Sequence, residues 1–493
     1  MTIRIHIPSI LAMAGLLVGG CSTIENSHRQ KEPLLAAWVA ADEVRAQAEL
    51  DDKVKSRTGT GDELVWRLEA GTWAFTFGRY ADAIAEFAAS ERVIADYDER
   101  ATVSARDVGS EAAGALSNLN VLPYRGWCRD RMGLEIYKSL AYLGQGREDS
   151  FRAQVKRLRE RQKEIQEDYE KFFEQEKAEI DKARADNPAA AKQADEQGTM
   201  TSIAGNAQNA EFTQSLAEMR RVAHKGYGGF LNPLALYLSA LGNIRDGNWD
   251  NAAIDTKRLH EALPSNPFAS ALHATALRNA GRPLPAELAA TPAFPYPMDR
   301  DCLYVIFANG RGAAFRQIAI YWPIMAAWPA CEFYPSTIAN AQISAGGQTV
   351  ATVPIADMDA ILAQEFDQRL PGIITRTVLS TLIKEGAYRG GQIATLHASD
   401  DWRVQAVSFA AVTVVGSAYR YAMNTADTRC WELLPKEFQV AQMPMPADHR
   451  VRVSLGGRPI DVTVPAGCRS AVLYVSAPSP ANVRCAVLPF SSK

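Results

Sequence analysis

The sequence predicts an α+β protein of more than one domain, helical in its N-terminal half and β-rich in its C-terminal half. Its 493 residues suffice for about two to four domains of ordinary size. From about residue 33 to residue 282, apolar residues recur at steps of three and four, which is typical of helices. After five prolines between residues 283 and 297 they alternate, which is typical of strands.

The composition excludes two broad classes of protein. Hydrophobic residues make up 47% and charged residues 22% of the chain, so it can bury a core and is not a disordered polymer. The 53 Lys and Arg residues balance 56 Asp and Glu, which gives a formal net charge of −3. This balance leaves no basic footprint for nucleic acid, and we expect no nucleic-acid partner.

The N-terminus, residues 1–20, has the pattern of a secretory signal peptide, with an apolar stretch too short to span a bilayer. Its last residues and Cys21 read Val-Gly-Gly-Cys, which resembles the lipobox of bacterial lipoproteins. That resemblance implies a lipid anchor of diacylglycerol and an N-acyl chain such as palmitate on Cys21. Ser22 then implies the outer membrane, on its periplasmic face. A cleaved signal followed by a chance cysteine is the alternative, and residues 21–32 predict a polar tether.

Three stretches of the helical region resemble tetratricopeptide (TPR) repeats. In each, a glycine marks the turn between two helices, and small and aromatic residues follow that let the helices pack closely. The turn glycines are 68 and 101 residues apart, close to two and three periods of about 34 residues. We therefore expect a TPR-like α-solenoid over residues 33–282, with an unrelated helical bundle as the alternative. The predicted repeat-packing residues are Gly78, Tyr80, Ala83, Phe87, Gly146, Gly247, Trp249 and Ala252.

A long charged helix is predicted at about residues 148–186. Twenty of the thirty-five residues from Arg152 to Asp186 are charged. Apolar residues between Phe151 and Phe172 follow alternating steps of four and three, as in a coiled coil. The charges form either a solvated face or a surface for a partner or a second copy.

The C-terminal half predicts a β-sandwich-like domain over residues 302–493, after a stiff Pro-rich linker at 283–301. Alternating segments at 303–307 and 315–322 predict a hairpin, and a second hairpin is predicted around Gly346-Gly347. About five more short strands are predicted near the C-terminus.

A helical insert is predicted between the two sets of strands, at about residues 357–424. Its apolar segment 404–418 is too short to span a bilayer. A buried helix is the plainer interpretation of this segment, and membrane insertion after a trigger is the alternative.

We expect neither an enzyme nor a cofactor, because no histidine has the spacing of a metal site and no nucleophile elbow is present. The cysteines other than Cys21 number six and allow 15 pairings. We favour Cys468–Cys485 and Cys302–Cys331 among these pairings. The remaining two cysteines are Cys128 and Cys430.

Five residues form a candidate partner-binding patch. Arg376 and Lys384 are eight residues apart and so share a helical face. With Asp427, Arg429 and Trp431 they would line one surface. In the plainer alternative, Asp427 and Arg429 pin a loop and Trp431 fills the core.

Several motifs together resemble an uncharacterised family of TPR-containing bacterial outer-membrane lipoproteins, often encoded near lipoproteins of the penicillin-binding-protein-activator type. The resemblance covers most of the chain and implies architecture and location, with no established reaction. The motifs are VGGC at 18–21, NPLALYLSAL and GNWDNAAID within 232–255, YVIFANG at 304–310, LPGIITR with Lys384 at 370–384, and ADTRCWELLPKEFQVAQ at 426–442.

The sequence as a whole predicts a non-enzymatic scaffold for cell-envelope assembly, anchored in the outer membrane and facing the periplasm. Its solenoid would bind an envelope protein or peptide, because solenoids present extended surfaces. One alternative is an envelope-acting hydrolase, and another is a membrane-perturbing or secretion-associated component that uses residues 404–418. The sequence does not predict the oligomeric state.

Overall fold

A computed structural model gives the fold, and its described residues are helical in the N-terminal part and form sheets in the C-terminal part. This division confirms the coarse prediction from the sequence. The predicted signal peptide, Cys21 and most of the apolar segment 404–418 lie outside the described residues. No helix among the described residues combines the length and apolarity needed to cross a bilayer. The described residues are 27–106, 123–229, 231–322, 324–397 and 425–490, with a few positions between 404 and 413.

The helices of the N-terminal part stack in chain order, with α3, α4, α5 and α6 each packing on the next. Helix α6 continues the stack to α10, α11 and α12, while α7 to α9 form an excursion between α6 and α10. The bounds are α1 Ser27–Ala40, α2 Glu43–Arg57, α3 Glu63–Thr76, α4 Tyr80–Arg106, α5 Cys128–Gly144, α6 Glu148–Asp186, α7 Pro188–Gln197, α8 Met200–Ala204, α9 Ala210–Ala223, α10 Pro233–Arg245, α11 Trp249–Ala262 and α12 Pro267–Asn279.

Glycines terminate the first helix of three adjacent helix pairs, α3–α4, α5–α6 and α10–α11. Gly78, Gly146 and Gly247 have φ angles of 73°, 76° and 70°. The residue after each glycine donates its N–H to a carbonyl five residues earlier, as Arg147 does to Tyr142 at 2.8 Å. This is the Schellman end of a helix, where a side chain at the left-handed position would be strained.

The other predicted packing residues lie between helices. Phe87 and Ala83 are fully buried, and a Cβ added at Gly71 would lie 2.6 Å from the Phe87 ring. A Cβ at Gly144 would lie 2.7 Å from Tyr80, so a side chain at either glycine would force the facing aromatic ring of α4 to move. The predicted positions further along the chain also contact the core, with Ala252 buried and Trp249 half-buried.

Residues 27–32, which the sequence assigns to a tether, belong to helix α1. This helix packs on α2 and on strands of the C-terminal part. Leu34, Leu35 and Trp38 are buried, and so is Lys31, whose side chain has no exposed surface. The tether prediction is therefore wrong from Ser27 onward, because this polar segment is helical and its Lys31 side chain is buried in the folded protein.

The described residues of the C-terminal part form three sheets. A five-stranded sheet has the order β11-β10-β1-β7-β6, a four-stranded sheet the order β5-β4-β8-β9, and β2 pairs with β3. The bounds are β1 Cys302–Asn309, β2 Ala314–Trp322, β3 Ile324–Glu332, β4 Ala341–Ala345, β5 Gln348–Ala351, β6 Val353–Asp357, α13 Met358–Leu396, β7 Glu437–Pro444, β8 Arg450–Leu455, β9 Arg458–Thr463, β10 Ala471–Ser479 and β11 Asn482–Pro489.

The predicted hairpin between β1 and β2 does not form. Strand β1 runs parallel to β10 and antiparallel to β7, so both of its edges are occupied. Gly310, at φ 70°, turns the chain away, and β2 pairs instead with β3, a strand that the sequence analysis missed. The predicted hairpin around Gly346-Gly347 is confirmed by the pairing of β4 with β5.

The five-stranded sheet is a middle layer, because alternate residues of β1 enter two different cores. Tyr304 and Ile306 pack with the helices, whereas Val305 and Phe307 pack with side chains of the four-stranded sheet. Met298, within the predicted linker 283–301, is buried in the same core as the helices. The helices and the five-stranded sheet thus share one hydrophobic core, although the sequence predicts separate domains.

A second region of the core lies under the β2–β3 hairpin. Phe315 and Trp328 of this hairpin pack with Phe212 of α9 and with Phe366 and Leu370 of α13. Helix α13 also contacts α6 and α7. The helical insert therefore joins the excursion α7 to α9 to the C-terminal part.

Candidate functional site

A heavily buried polar region surrounds residues 425–436, which we call the crossing segment. It leads from the insert to β7 without regular secondary structure. Thr428, Cys430, Trp431 and Glu432 are at most 1% exposed. Because an irregular segment cannot satisfy its own backbone groups, its burial requires partners from the elements around it.

Helices α1 and α3 hold the crossing segment through buried charges. The Lys31 Nζ lies 2.8 Å from a Glu69 carboxylate oxygen and 3.6 Å from a Glu432 oxygen, and it donates to the carbonyl of Cys430. Glu69 accepts the N–H groups of Glu432 and Leu433 at 2.8 and 2.9 Å. Burial alone would lower the pKa of Lys31, but Glu69 and Glu432 outweigh burial and raise this pKa. Lys31 is therefore charged.

The carboxylate of Glu432 also contacts side chains that do not belong to α3. His28 Nδ1 donates to a carboxylate oxygen of Glu432 at 2.8 Å, and a guanidinium nitrogen of Arg311 lies 3.7 Å from that oxygen. The hydrogen bond to Glu432 raises the pKa of His28. The side chains of Lys31, Arg311 and His28 thus converge on one buried carboxylate.

The predicted loop pin, Asp427 and Arg429, is present and reaches the start of α3. Arg429 donates from Nε and Nη2 to the two carboxylate oxygens of Asp427, both at 2.9 Å, and its Nη1 lies 3.2 Å from Asp62. Burial would lower the pKa of Arg429, but the two carboxylates outweigh burial and raise it. The pin is therefore a fully ionised, bidentate pair.

Helix α5 meets the same segment through Arg129. Its Nη2 lies 3.0 Å from Asp130 and donates to the carbonyl of Trp431 at 3.0 Å. The Trp431 ring packs between helices, 6.1 Å from the ring of Phe87 and 5.9 Å from that of Tyr137. Trp431 therefore fills the core between the helical hairpins.

An ion pair to α13 closes the C-terminal end of the crossing segment. Lys436 donates to Asp359, which also accepts the N–H of Ala313 at 2.7 Å. Burial raises the pKa of Asp359 to about 6 despite Lys436. The crossing segment is thus tied to four helices and to the turn before β2.

The five residues of the predicted patch do not form one exposed surface. Arg376, Arg429 and Trp431 are at most 6% exposed. Arg376 lies 3.6 Å from Glu176 and 3.4 Å from Glu179, which belong to α6. Asp427 adjoins Arg429, and the side chain of Lys384 lies outside the described residues. For Asp427, Arg429 and Trp431 the geometry agrees with the plainer alternative, because Asp427 and Arg429 pair with each other and Trp431 is buried in the core.

The sequence analysis missed Lys31 and Glu69. Glu69 offers a signal, since it shares a helical face with Val65, Trp66 and Trp73, all of which are buried. A carboxylate on an apolar face predicts a buried cationic partner. Nothing local identifies Lys31 as that partner.

The two favoured disulfides are absent, since all six described cysteines are free thiols. Cys302 lies in the core of the helices and Cys331 in the core under the β2–β3 hairpin. On β11, Cys485 pairs with Val475, seven residues along the chain from Cys468. Both predicted pairings are therefore wrong, because Cys302 and Cys331 lie in different cores and Cys485 lies opposite Val475 rather than Cys468.

In the part of the chain that the structure describes, no three His, Cys, Asp or Glu side chains are grouped to hold a metal ion. No protein-family model, no curated protein and no solved structure matches this chain significantly.

Proposed function

We propose that this protein is a lipid-anchored scaffold of the bacterial outer membrane, facing the periplasm and docking an envelope protein or peptide. In this proposal Cys21 carries the lipid, and the three helix pairs are degenerate TPR units of an α-solenoid. The five- and four-stranded sheets are the two layers of a sandwich. The Schellman turns at the three repeat glycines support the repeat assignment.

The observation that carries the proposal is that α1, the helix that follows the lipobox in the sequence, is docked against the rest of the protein. Ser27 is six residues beyond Cys21, and six residues of fully extended chain span at most about 20 Å. His28 and Lys31 are held by Glu432 and Glu69 in the interior. A lipid on Cys21 would therefore hold the folded body close to the membrane in a restricted orientation, as a scaffold requires.

The inner surface of the helical stack is unsuited to a partner, because the chain occupies it itself. Helix α5 is almost entirely buried. The Tyr137 hydroxyl lies 3.1 Å from that of Tyr474 on β10, and the Phe75 ring lies 4.9 Å from the Tyr474 ring. We therefore assign docking to the outer face of α6, where Lys163 and Lys171 are exposed by 78% and 67%.

Photo-crosslinking in cells tests this assignment. A crosslinking amino acid replaces Lys163 or Lys171 on α6, and the matched control replaces Lys257 on α11, which is 65% exposed. We expect a specific envelope adduct from the α6 positions and none from the control. Identical adducts from all three positions would refute docking on α6.

Metabolic labelling with palmitate tests the anchor separately. The unaltered chain is expected to incorporate label and to fractionate with the outer membrane, and a Cys21→Ser chain to do neither. An unlabelled wild-type product would refute the lipoprotein assignment.

A further inference from the structure

The first turn of α1 depends on one ionisable side chain for its polar attachment to the protein. The N–H groups of a first helical turn have no partners within the helix, so such a turn frays unless other contacts hold it. Arg29 is exposed and Ser27 is partly exposed, and within the described part of the chain neither side chain forms a hydrogen bond or an ion pair. His28 therefore supplies the polar contacts that tie this turn to the interior.

Two carboxylates flank the imidazole of His28. Its Nδ1 lies 2.8 Å from an oxygen of Glu432 in the crossing segment, and its Nε2 lies 3.9 Å from an oxygen of Glu332 at the end of β3. A protonated imidazole presents an N–H group to each carboxylate, whereas a neutral one keeps a proton on a single nitrogen. In either neutral tautomer a nitrogen lone pair faces a carboxylate. Loss of the proton therefore weakens the attachment, whichever nitrogen gives it up.

The neighbouring cations keep Glu432 neutralised when His28 loses its proton. The Nζ of Lys31 lies 3.6 Å from one oxygen of Glu432, and a guanidinium nitrogen of Arg311 lies 3.7 Å from the other. Lys31 is also bound to Glu69 at 2.8 Å, and its side chain has no exposed surface. Deprotonation of His28 consequently leaves no uncompensated buried anion, and the rest of α1 stays docked from Lys31 onward.

The direction of the pH effect follows from the charges around the imidazole. The hydrogen bond from His28 to Glu432 raises the pKa of His28, against burial and the charge of Arg311, and Glu332 adds to the rise. A histidine whose pKa rises on docking favours the docked state fully below its ordinary pKa of about 6.5. It loses that effect as the pH rises through the pKa of the docked state. Acid therefore favours the docked turn, and alkali favours its release.

We propose that Ser27–Arg29 is a pH-dependent latch, which protonated His28 holds closed against Glu432 and Glu332 and which deprotonated His28 releases. An open latch lengthens the chain between Cys21 and the docked helix from six residues to nine. Nine extended residues span at most about 30 Å, against about 20 Å for six. The consequence for anchoring rests on the proposed lipid at Cys21, because the latch then sets how far the folded body stands from the membrane.

Electron paramagnetic resonance of a Cys21→Ser chain tests the latch without the lipid. A nitroxide is attached at Arg29→Cys, since Arg29 is exposed, and at Lys257→Cys on α11 as the matched control. Because five of the six described thiols are buried, the Cys21→Ser chain without an added cysteine suffices to measure background labelling. We expect the mobile fraction of the label at position 29 to rise at least about threefold between about pH 5.5 and about pH 8.5. The label at position 257 should show no change.

Two variants assign the change to His28. His28→Gln cannot titrate, so the label at position 29 is expected to show the same mobile fraction at both pH values. Glu332→Gln removes a carboxylate that raises the pKa of His28, so the midpoint of release is expected to move to lower pH. Far-UV circular dichroism verifies that each chain is folded across the pH range.

The latch and the lipid anchor can fail separately. A mobile fraction at position 29 that does not change with pH would overturn the latch, and so would an equal pH response in folded His28→Gln. An unchanged midpoint in Glu332→Gln would also count against it. Absence of palmitate from the unaltered chain would overturn the anchor and leave these measurements unaffected, since they use a chain without Cys21.

Discussion

Replacing Lys31 with methionine tests the buried network that joins α1 to the crossing segment. Methionine keeps the length of the side chain but removes its charge, which leaves Glu69 buried without a cation. At a separation of 2.8 Å and an effective dielectric constant of about 20, the lost attraction is about 6 kcal/mol. Part of this attraction only offsets desolvation, and removing one member of a buried pair costs about 3–5 kcal/mol. We expect the free energy of unfolding to fall by that amount.

The matched partner variant is Glu69→Gln, which removes the other charge. In Lys31→Met/Glu69→Gln the pair contains no uncompensated charge, and a glutamine oxygen can still accept a backbone N–H group of the crossing segment. The double variant is expected to lose about 2 kcal/mol less than the sum of the two single variants. This coupling separates the ion pair from general disruption of the core.

Urea unfolding, followed by tryptophan fluorescence and far-UV circular dichroism, measures these free energies on a Cys21→Ser chain. Lys171→Met serves as the control, since Lys171 is 67% exposed on α6 and its loss should cost less than about 0.5 kcal/mol. A loss below about 1 kcal/mol for Lys31→Met, with additive effects in the double variant, would refute the buried network.

Three further predictions follow from the turns, the histidine and the thiols. Gly146→Ala should lower the free energy of unfolding by about 1–2 kcal/mol, because the φ angle of Gly146 is 76°. Gly386→Ala, where an added Cβ meets open space in a helix, should raise the free energy of unfolding by about 0.5–1 kcal/mol. Equal shifts in melting temperature for the two variants would contradict this prediction. Because the hydrogen bond to Glu432 raises the pKa of His28, this hydrogen bond stabilises the fold fully below about pH 6.5. Its stabilisation is lost as the pH rises through the pKa of His28 in the folded protein. The stability difference between wild type and His28→Gln should therefore shrink with rising pH in urea titrations, and a growing difference would contradict the contact. A Cys21→Ser chain that is unfolded without reducing agent should show six titratable thiols. In the native state these thiols should react slowly, since burial raises, for example, the pKa of Cys430 to about 12. A count of four thiols would indicate one disulfide.

The features that the sequence predicts correctly depend on neighbouring residues. Gly78, Gly146 and Gly247 end their helices because the Schellman geometry involves about six consecutive residues and needs a left-handed position. The hairpin of β4 and β5 follows from a glycine pair between two alternating segments. The change from helical to alternating periodicity near residue 302 separates the helices from the sheets, because each period reflects one local backbone geometry.

The sequence does not show which distant segments pair with each other. The periodicity identifies β1 as a strand, but its neighbours β10 and β7 lie more than 120 residues away, and an adjacent alternating segment was the nearer candidate. The sequence places Asp427, Arg429 and Trp431 in one candidate patch, yet it shows neither that Arg429 is buried nor that Asp62 pairs with it.

Local order along this chain, including its helical turns and the succession of helices and strands, was determined by the sequence itself. Only the tertiary structure decided that Lys31 is interior and that the helical stack is covered by the chain's own sheet. The physical reason is that a backbone period records which residues share a face. The free energy of burying a charge depends on which distant groups meet that face after folding.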